Sequence, residues 1–587
     1  MLDYNRVFRA TIIAAIAFAA TLLSLALLQQ LLVPILVWLA PSLEIGFYDL
    51  GFFGAYRTQD YISFALKSPH ASIVRWDDTC DHGHVFLDLS GPSPDHKGPL
   101  IIDARGNLIW TSDEYETTTN SKIQVYRGQE YLTFWSGQKA KTSGTGVYLM
   151  LDSEYHVFKK VDAVGEGLHG DLHEFKITQD DTALMTVYTP VQADLTAMGM
   201  FRGKNGWIVE NMFQEVDLET GELIFEWRAS EHFRPEDSFM TNPFGGYFKS
   251  IPFDFFHINS VEKGADGNYL ISSRHFHAIY LIDGKTGKVL WALGGDATNF
   301  LDLSHGAASD FSWQHDARWL SEEDGIISLF DNSYAWPHAD GPYSQGRIIQ
   351  VDRKNGTATL LHSYLSLQHA RSSSQGSLQL LPTAHGEPHV FIGWGSSAAF
   401  SEHTSDGHLL CETHFAASSL FWWERVKSYR AFKALSWSAM PAAWDPVAKI
   451  YAGDLFVSWN GATGVAFWEL QWQTPVDDAS GASWESVDVL DKQLFEESFP
   501  LPPGTNSRTR FRVAALDKDR NILRFSNETS LATGGISSFV LAGVSAVICI
   551  AAICAFWTFR KRGYGWLWTR YPQLVIDRSK YQRLWRG

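Results

Sequence analysis

Cysteine is scarce in this chain, with four in 587 residues, and their spacing makes no zinc site. Cys549 and Cys554 lie inside an apolar run, so Cys80 and Cys411 are the only pair left for an oxidising compartment. Positive charge is also short. Against 65 acidic residues stand 48 Lys and Arg, a net −17, which argues against nucleic acid, whose affinity comes from clustered cations meeting phosphates. HExxH, a Ser nucleophile elbow, a Walker lysine loop and a dinucleotide glycine fingerprint are all missing. The "ADGN" turns lack the alternating carboxylates of a calcium loop. Residues 441–532 contain no His, which makes them a poor place for chemistry. What is abundant is apolar and aromatic: 45% hydrophobic residues and 23 Trp describe a globular chain, long enough for about three to four domains.

Charge is unevenly spread. Arg560–Gly587 holds eight basic residues and one acid, leaving about −24 elsewhere. This basic tail follows residues 536–559, uncharged and long enough for a bilayer's hydrocarbon thickness, with Arg560, Lys561 and Arg562 as a cytosolic stop. A second uncharged run spans 10–43 and is interrupted by Gln29-Gln30 and Pro34. It reads as a cleaved signal or a retained anchor, and the want of a small-residue cleavage site favours the anchor within a 1–44 segment. The expected localisation is a membrane protein of the secretory pathway or cell surface, its middle luminal or extracellular and its tail cytosolic. The sequons at Asn355 and Asn527 fall in that middle as candidate glycosylation sites.

Six segments share a pattern in which an apolar residue and Asp precede a Gly- or Asn-bearing turn and an alternating strand. "IIDARGNLIW", "VDLETGELIFEW", "LIDGKTGKVLW" and "VDRKNGTATLL" are clear copies, "LDSEYHVFKKV" and "TSDGHLLCE" weaker ones. Each predicts a β-hairpin. A second hairpin type, such as "FHINSVEKGADGNYLISSR", falls between them, giving four strands per period. Six periods over 75–420 predict a six-bladed β-propeller, and 441–532 a small β-sandwich of fibronectin type, so the fold class is mainly β. A ring brings its first and last blades together, so Cys80 and Cys411 are expected to bridge them.

Strand alternation places His257 with Asn259, and Ser272 with Arg274, on shared faces. His169, Asp171 and His173 form another alternating set, and Gln314 and Asp316 flank His315. A lone strand His is more often a hydrogen-bonded structural residue than a catalyst, and His275 and His277 are read that way. Arg274 has its own bland reading, an ion pair with Asp254 or Glu262. Recurrence in three consecutive repeats sets His173, His257 and His315 apart. "HGDLH" could ligate zinc, but a neighbouring Arg repels a divalent cation, so no metal and no cofactor is expected. Several His and one Arg suit an oxyanion: the guanidinium grips two oxygens and one His can act as nucleophile.

The stretch "DFFHINSVEKGADGNYLISSRHFHAIYLIDGKTGKVLWALGG", followed by "FSWQHDARWL", resembles the arylsulfotransferase family in its fungal membrane-associated form. The resemblance covers roughly 75–420. It implies a six-bladed propeller and transfer of a sulfuryl group from an aryl sulfate to a phenol without a nucleotide donor. It also implies a transiently sulfated channel His at His315 and sulfate-holding residues at His257, Asn259 and Arg274. A further channel His falls on His173, with His169 the alternative alignment. The chain departs from bacterial members in the "DAR" after His315, the two apolar runs and the added sandwich. A non-catalytic propeller that binds sulfated or phenolic ligands, and an aryl sulfate hydrolase, are the rival readings. The partners expected are an aryl sulfate, a phenol and the lipid bilayer, and no nucleic acid.

Overall fold

The computed structural model describes residues 4–531 except 29–31, 96, 116, 141, 200–202, 243, 336, 384–385 and 474–482. All six Asp-turn copies are antiparallel hairpins. Their Asp has a mechanical cause: in the first copy Asp103 Oδ1 accepts the amides of Arg105 and Asn107, both at 2.8 Å. Asp152, Asp217, Asp283 and Asp352 cap their turns in the same way.

These hairpins lie within six antiparallel sheets. Four successive strands make the second (Thr117–Tyr126 to Val157–Val161), the third (Phe175–Ile177 to Leu223–Arg228) and the fourth (Ile258–Lys263 to Val289–Gly294). The fifth runs from His315–Ser321 to Thr357–Tyr364, with Leu301–Asp302 added in parallel at its edge. In the sixth, Ser377–Leu381 to Leu409–His414 are joined by Ser72–Arg75 from the other end of the chain. The first sheet makes the reverse exchange: His84–Leu89 pairs with Phe432–Ala434. The sheets therefore begin before residue 75 and end after residue 420, beyond the limits that the repeat pattern sets.

Apolar clusters fill the spaces between sheets. Phe86 and Trp110 meet Leu132 and Phe134; Trp135 and Tyr148 meet Phe175 and Met185. Phe213 and Trp227 meet Val261 and Tyr269, and Leu270 and Ile279 meet Ile327 and Leu329. Phe330 and Ile348 meet Leu378 and Ile392, and Phe391 and Phe400 return to Val85 and Leu100 of the first sheet. The polar ends of the strands are thereby left to build the site. Cys80 and Cys411 are disulfide-bonded, with Cα atoms 6.4 Å apart.

Beyond residue 440 two further sheets form, Val447–Tyr451 with Asp454–Ser458 and Glu496–Pro500, and a larger one around Phe467–Gln473 and Arg510–Leu516. Leu455, Val457, Trp468, Leu470, Phe511 and Val513 share one core between them. The sequon Asn355 stands in an exposed turn, whereas the Asn527 amide is bonded to the backbone of Ala448 at 2.8 and 3.0 Å.

The expected membrane segments fare differently. The uncharged run 10–43 is divided among α1 (Tyr4–Leu27), α2 (Val33–Leu39, with Pro34 in its first turn) and a short 3-10 turn before α3 (Glu44–Asp49). Among the described residues no helix is long and apolar enough to cross a membrane. The run 536–559 and the tail 560–587 lie outside the described residues.

Candidate functional site

The fourth sheet departs from simple alternation where it matters. His257 sits just before Ile258–Lys263 with φ +60°, and the ladder to the next strand shifts between Ile258 and Ser260. His257 and Asn259 consequently do different things. His257 lines a cavity of about 570 Å³. Asn259 is fully buried behind it, its Nδ2 donating to the Gln314 carbonyl at 2.6 Å. Asn259, expected to hold substrate, does not line that cavity; it braces the residue before His315. Arg274 opens a 3-10 turn at the end of Tyr269–Ser273, and its amide donates to the His257 carbonyl at 3.0 Å.

His173, His257, Arg274 and His315 all line that one cavity, together with Gln375 and Tyr429. His169 does not; it is exposed and bonded to Asp162 at 3.1 Å, so His173 is the cavity histidine of its sheet. Every one of the three imidazoles is held at Nδ1. His173 is bonded to Asp171, and His257 to Asp254 at 2.6 Å. His315 differs: its partner is the amide oxygen of Asn332, at 2.8 Å.

The orientation of that amide is fixed. Asn332 Nδ2 donates to the carbonyls of Ser372 and Gln375 at 2.9 and 3.0 Å, so Oδ1 can only accept. His315 therefore carries its proton on Nδ1 and a lone pair on Nε2, where the Gln375 N–H reaches it at 3.1 Å. Burial, then the Arg274 charge, hold His315 well below the ordinary histidine range, so the ring is neutral. Gln375 has φ +70° and Gly376 φ +110°; a side chain at 376 would fall 2.3 Å from Phe330. Only glycine lets this turn present its amide there.

Arg274 supplies the charge. It is buried and forms no ion pair among the described residues, since Asp254 is taken by His257 and Glu262 by Lys176. Nη1 donates to His275 Nε2 at 2.9 Å and Nη2 to the Ser373 carbonyl at 3.0 Å, while Nε has no partner. The Trp313 ring lies 5.1 Å beneath the guanidinium. Burial lowers its pKa to about 10, so it remains a cation at neutral pH. A buried charge without a counterion costs several kcal/mol, about the amount an incoming anion would recover.

His275 is buried and hydrogen-bonded through both ring nitrogens, as its sequence reading expects, but one partner is Arg274. Its Nδ1 donates to the Asp254 carbonyl at 2.8 Å and its Nε2 receives Arg274, which makes it a positioning residue. Asp254, His257 and His275 could geometrically surround a metal ion. The bonds from Asp254 to His257 and from Arg274 to His275 instead make a hydrogen-bond chain, and the guanidinium opposes a divalent ion.

Tyr429, also missed, is buried with an unpartnered hydroxyl that burial keeps protonated. It comes from "SSLFWWERVKSYRAFKALSWSAM", a stretch without periodicity or motif, and sequence carries no signal for it. Asp316 and Arg318 of "DAR" face elsewhere, pairing with Glu174 and Arg430 in a buried ion network and lining a second cavity of about 400 Å³.

A mainly β protein thus carries a pocket lined by Arg274 and three Nδ1-anchored histidines. The sequence model of the family described as Arylsulfotransferase (ASST) matches residues 122–416, half of the chain and all of these residues except Tyr429. The chain belongs to the arylsulfotransferase family. No curated protein matches it in sequence. Solved structures resemble it at low identity. One is a protein of unknown function from Bacteroides caccae (11% identity, 61% of this chain and 100% of the other, TM-score 0.35). Another is a putative 6-phosphogluconolactonase from Bacteroides uniformis (10%, 70% and 100%, TM-score 0.31). Likenesses at these scores carry no argument.

Proposed function

We propose that the six sheets are the blades of a β-propeller and that its cavity passes a sulfuryl group from an aryl sulfate to a phenol through His315. The observation that carries this reading is the pairing of a buried Arg274, without an ion pair among the described residues, with a histidine whose tautomer places a lone pair on Nε2.

The sulfate oxygens accept from Arg274 Nε and from the Gln375 N–H, which leaves His315 as the sulfuryl group arrives, while neutral His257, its proton on Nδ1 against Asp254, walls the cavity. Nε2 attacks sulfur, the S–O(aryl) bond breaks, and the leaving phenolate takes a proton from the Tyr429 hydroxyl. A phenol oxygen then attacks sulfur, the S–Nε2 bond breaks, and the phenol's proton returns to the donor. Positioning and charge neutralisation carry such a transfer more than covalent help does. Burial of Cys80–Cys411 supports an oxidising compartment, with the run 536–559 as anchor and Asn355 as the glycan site.

A chromogenic aryl sulfate separates the readings. The transferase releases phenol beyond one equivalent per protein only when a second phenol is supplied. Release in water alone would make the protein a hydrolase, and binding without release a non-catalytic propeller.

Asn332 offers a sharper test, because it is an amide where the other two histidines have carboxylates. The sulfated ring is an imidazolium with its proton still on Nδ1, and a neutral acceptor leaves that charge uncompensated, which keeps the sulfuryl group transferable. Asn332→Asp places a carboxylate there and raises the His315 pKa. Since attack needs neutral His315, the acid limb of the rate profile moves to higher pH. Discharge of the adduct slows by about tenfold, the usual effect of changing the group that holds a reacting side chain. An unchanged pH profile would show that Asn332 only fills space.

A further inference from the structure

The cavity mouth and the apolar N-terminal segment meet at one place. Asp49 of α3 is bonded to buried His414 at 2.8 Å, and Gly51 lies against Ser419 and Leu420. The amide of Ala417 donates to the Ala55 carbonyl at 3.2 Å. The next residues, Ser418–Trp423, form 3-10 turns that bring Trp422 to the cavity. From Leu43 to Gly51 is eight residues, so the apolar stretch ends within about 27 Å of the cavity rim even if fully extended.

Both sides carry exposed apolar surface. On α1, Ile12, Ile13, Ile16, Phe18, Leu22 and Leu25 are exposed, and at 100° per residue they point around most of the circumference. A helix apolar on most sides fits lipid better than a one-sided protein groove. At the rim Trp422 is 71% and Trp423 58% exposed, with rings 4.1 Å apart. Met240 and Thr241 line the same cavity as Trp422, and Phe244, three residues on, is 76% exposed. Exposed tryptophans beside an apolar anchor are the composition of a membrane–water interface.

We infer that the cavity mouth lies against the surface of a zwitterionic bilayer, held there by the 4–51 segment and by Trp422, Trp423 and Phe244. The chain's net negative charge leaves insertion of aromatics, not attraction to anionic lipid, as the contact. Resting on the transferase reading, the substrates drawn from this position are amphiphilic aryl compounds that partition into lipid.

The test uses the full chain in phosphatidylcholine nanodiscs containing a phosphatidylcholine with a photoactivatable group near its headgroup. Cross-linked peptides are then mapped by mass spectrometry. Adducts are expected on the peptides holding Trp422–Trp423 and Phe244, as well as on α1, and none on the turn at Asn355. Trp423→Glu with Phe244→Glu should lower the rim adducts about tenfold and leave those on α1. Adducts confined to residues 4–43, or no adducts on the described residues, would overturn the inference. Rim adducts with no preference in turnover for long-chain over short-chain aryl sulfates would sink the transferase-based substrate class alone.

Discussion

His315→Asn is expected to remove turnover by four orders of magnitude or more, about the loss seen when a nucleophile is deleted from an enzyme that uses one. Asparagine has no ring nitrogen to take the sulfuryl group. The wild-type protein, given an aryl sulfate and no acceptor, should hold one acid-labile adduct on the peptide containing Gln314-His315-Asp316. The variant should hold none. The change also has a structural cost. Asn332 Oδ1 and the Gln375 N–H lose their partner inside a buried site, which costs about 1–3 kcal/mol. A thermal melt therefore accompanies the assay. Turnover retained in a folded His315→Asn protein would exclude His315 as nucleophile.

Arg274→Lys should lower kcat/KM by about 10²–10³, the usual consequence of removing a donor from developing charge. Lysine keeps the charge and loses the planar fork that reaches His275, Ser373 and the cavity at once. His275→Asn should cost about tenfold, because the guanidinium loses the acceptor that aims it. Its positioning role is tested by His275→Gln, whose side-chain oxygen can accept from Arg274 and should recover much of the rate. His169→Asn serves as the silent control, since that side chain is exposed and outside the cavity. Equal activity of His275→Asn and His169→Asn would return His275 to a purely structural status.

Sequence alone determined the periodic part of this protein. Asp caps its turn amides through local hydrogen bonds, so "IDARGN" and "IDGKTG" announce hairpins without help from the rest of the chain. His173, His257 and His315 were legible because they recur at matching places in successive repeats, and Arg274 because alternation pairs it with Ser272 on one strand face. The tertiary structure decided which of their neighbours face the cavity. The backbone at His257 leaves the alternating pattern, which separates it from Asn259, and no two-residue period can report a bulge. Asn332 and Gln375 act on His315 from 17 and 60 residues away in sequence, and Tyr429 arrives from beyond the last full repeat. Such contacts exist only once the sheets pack on one another, because a hydrogen bond or a buried charge depends on what lies opposite in space. The sequence could name the groups; only the fold fixes which nitrogen holds the proton and which charge is left without a partner.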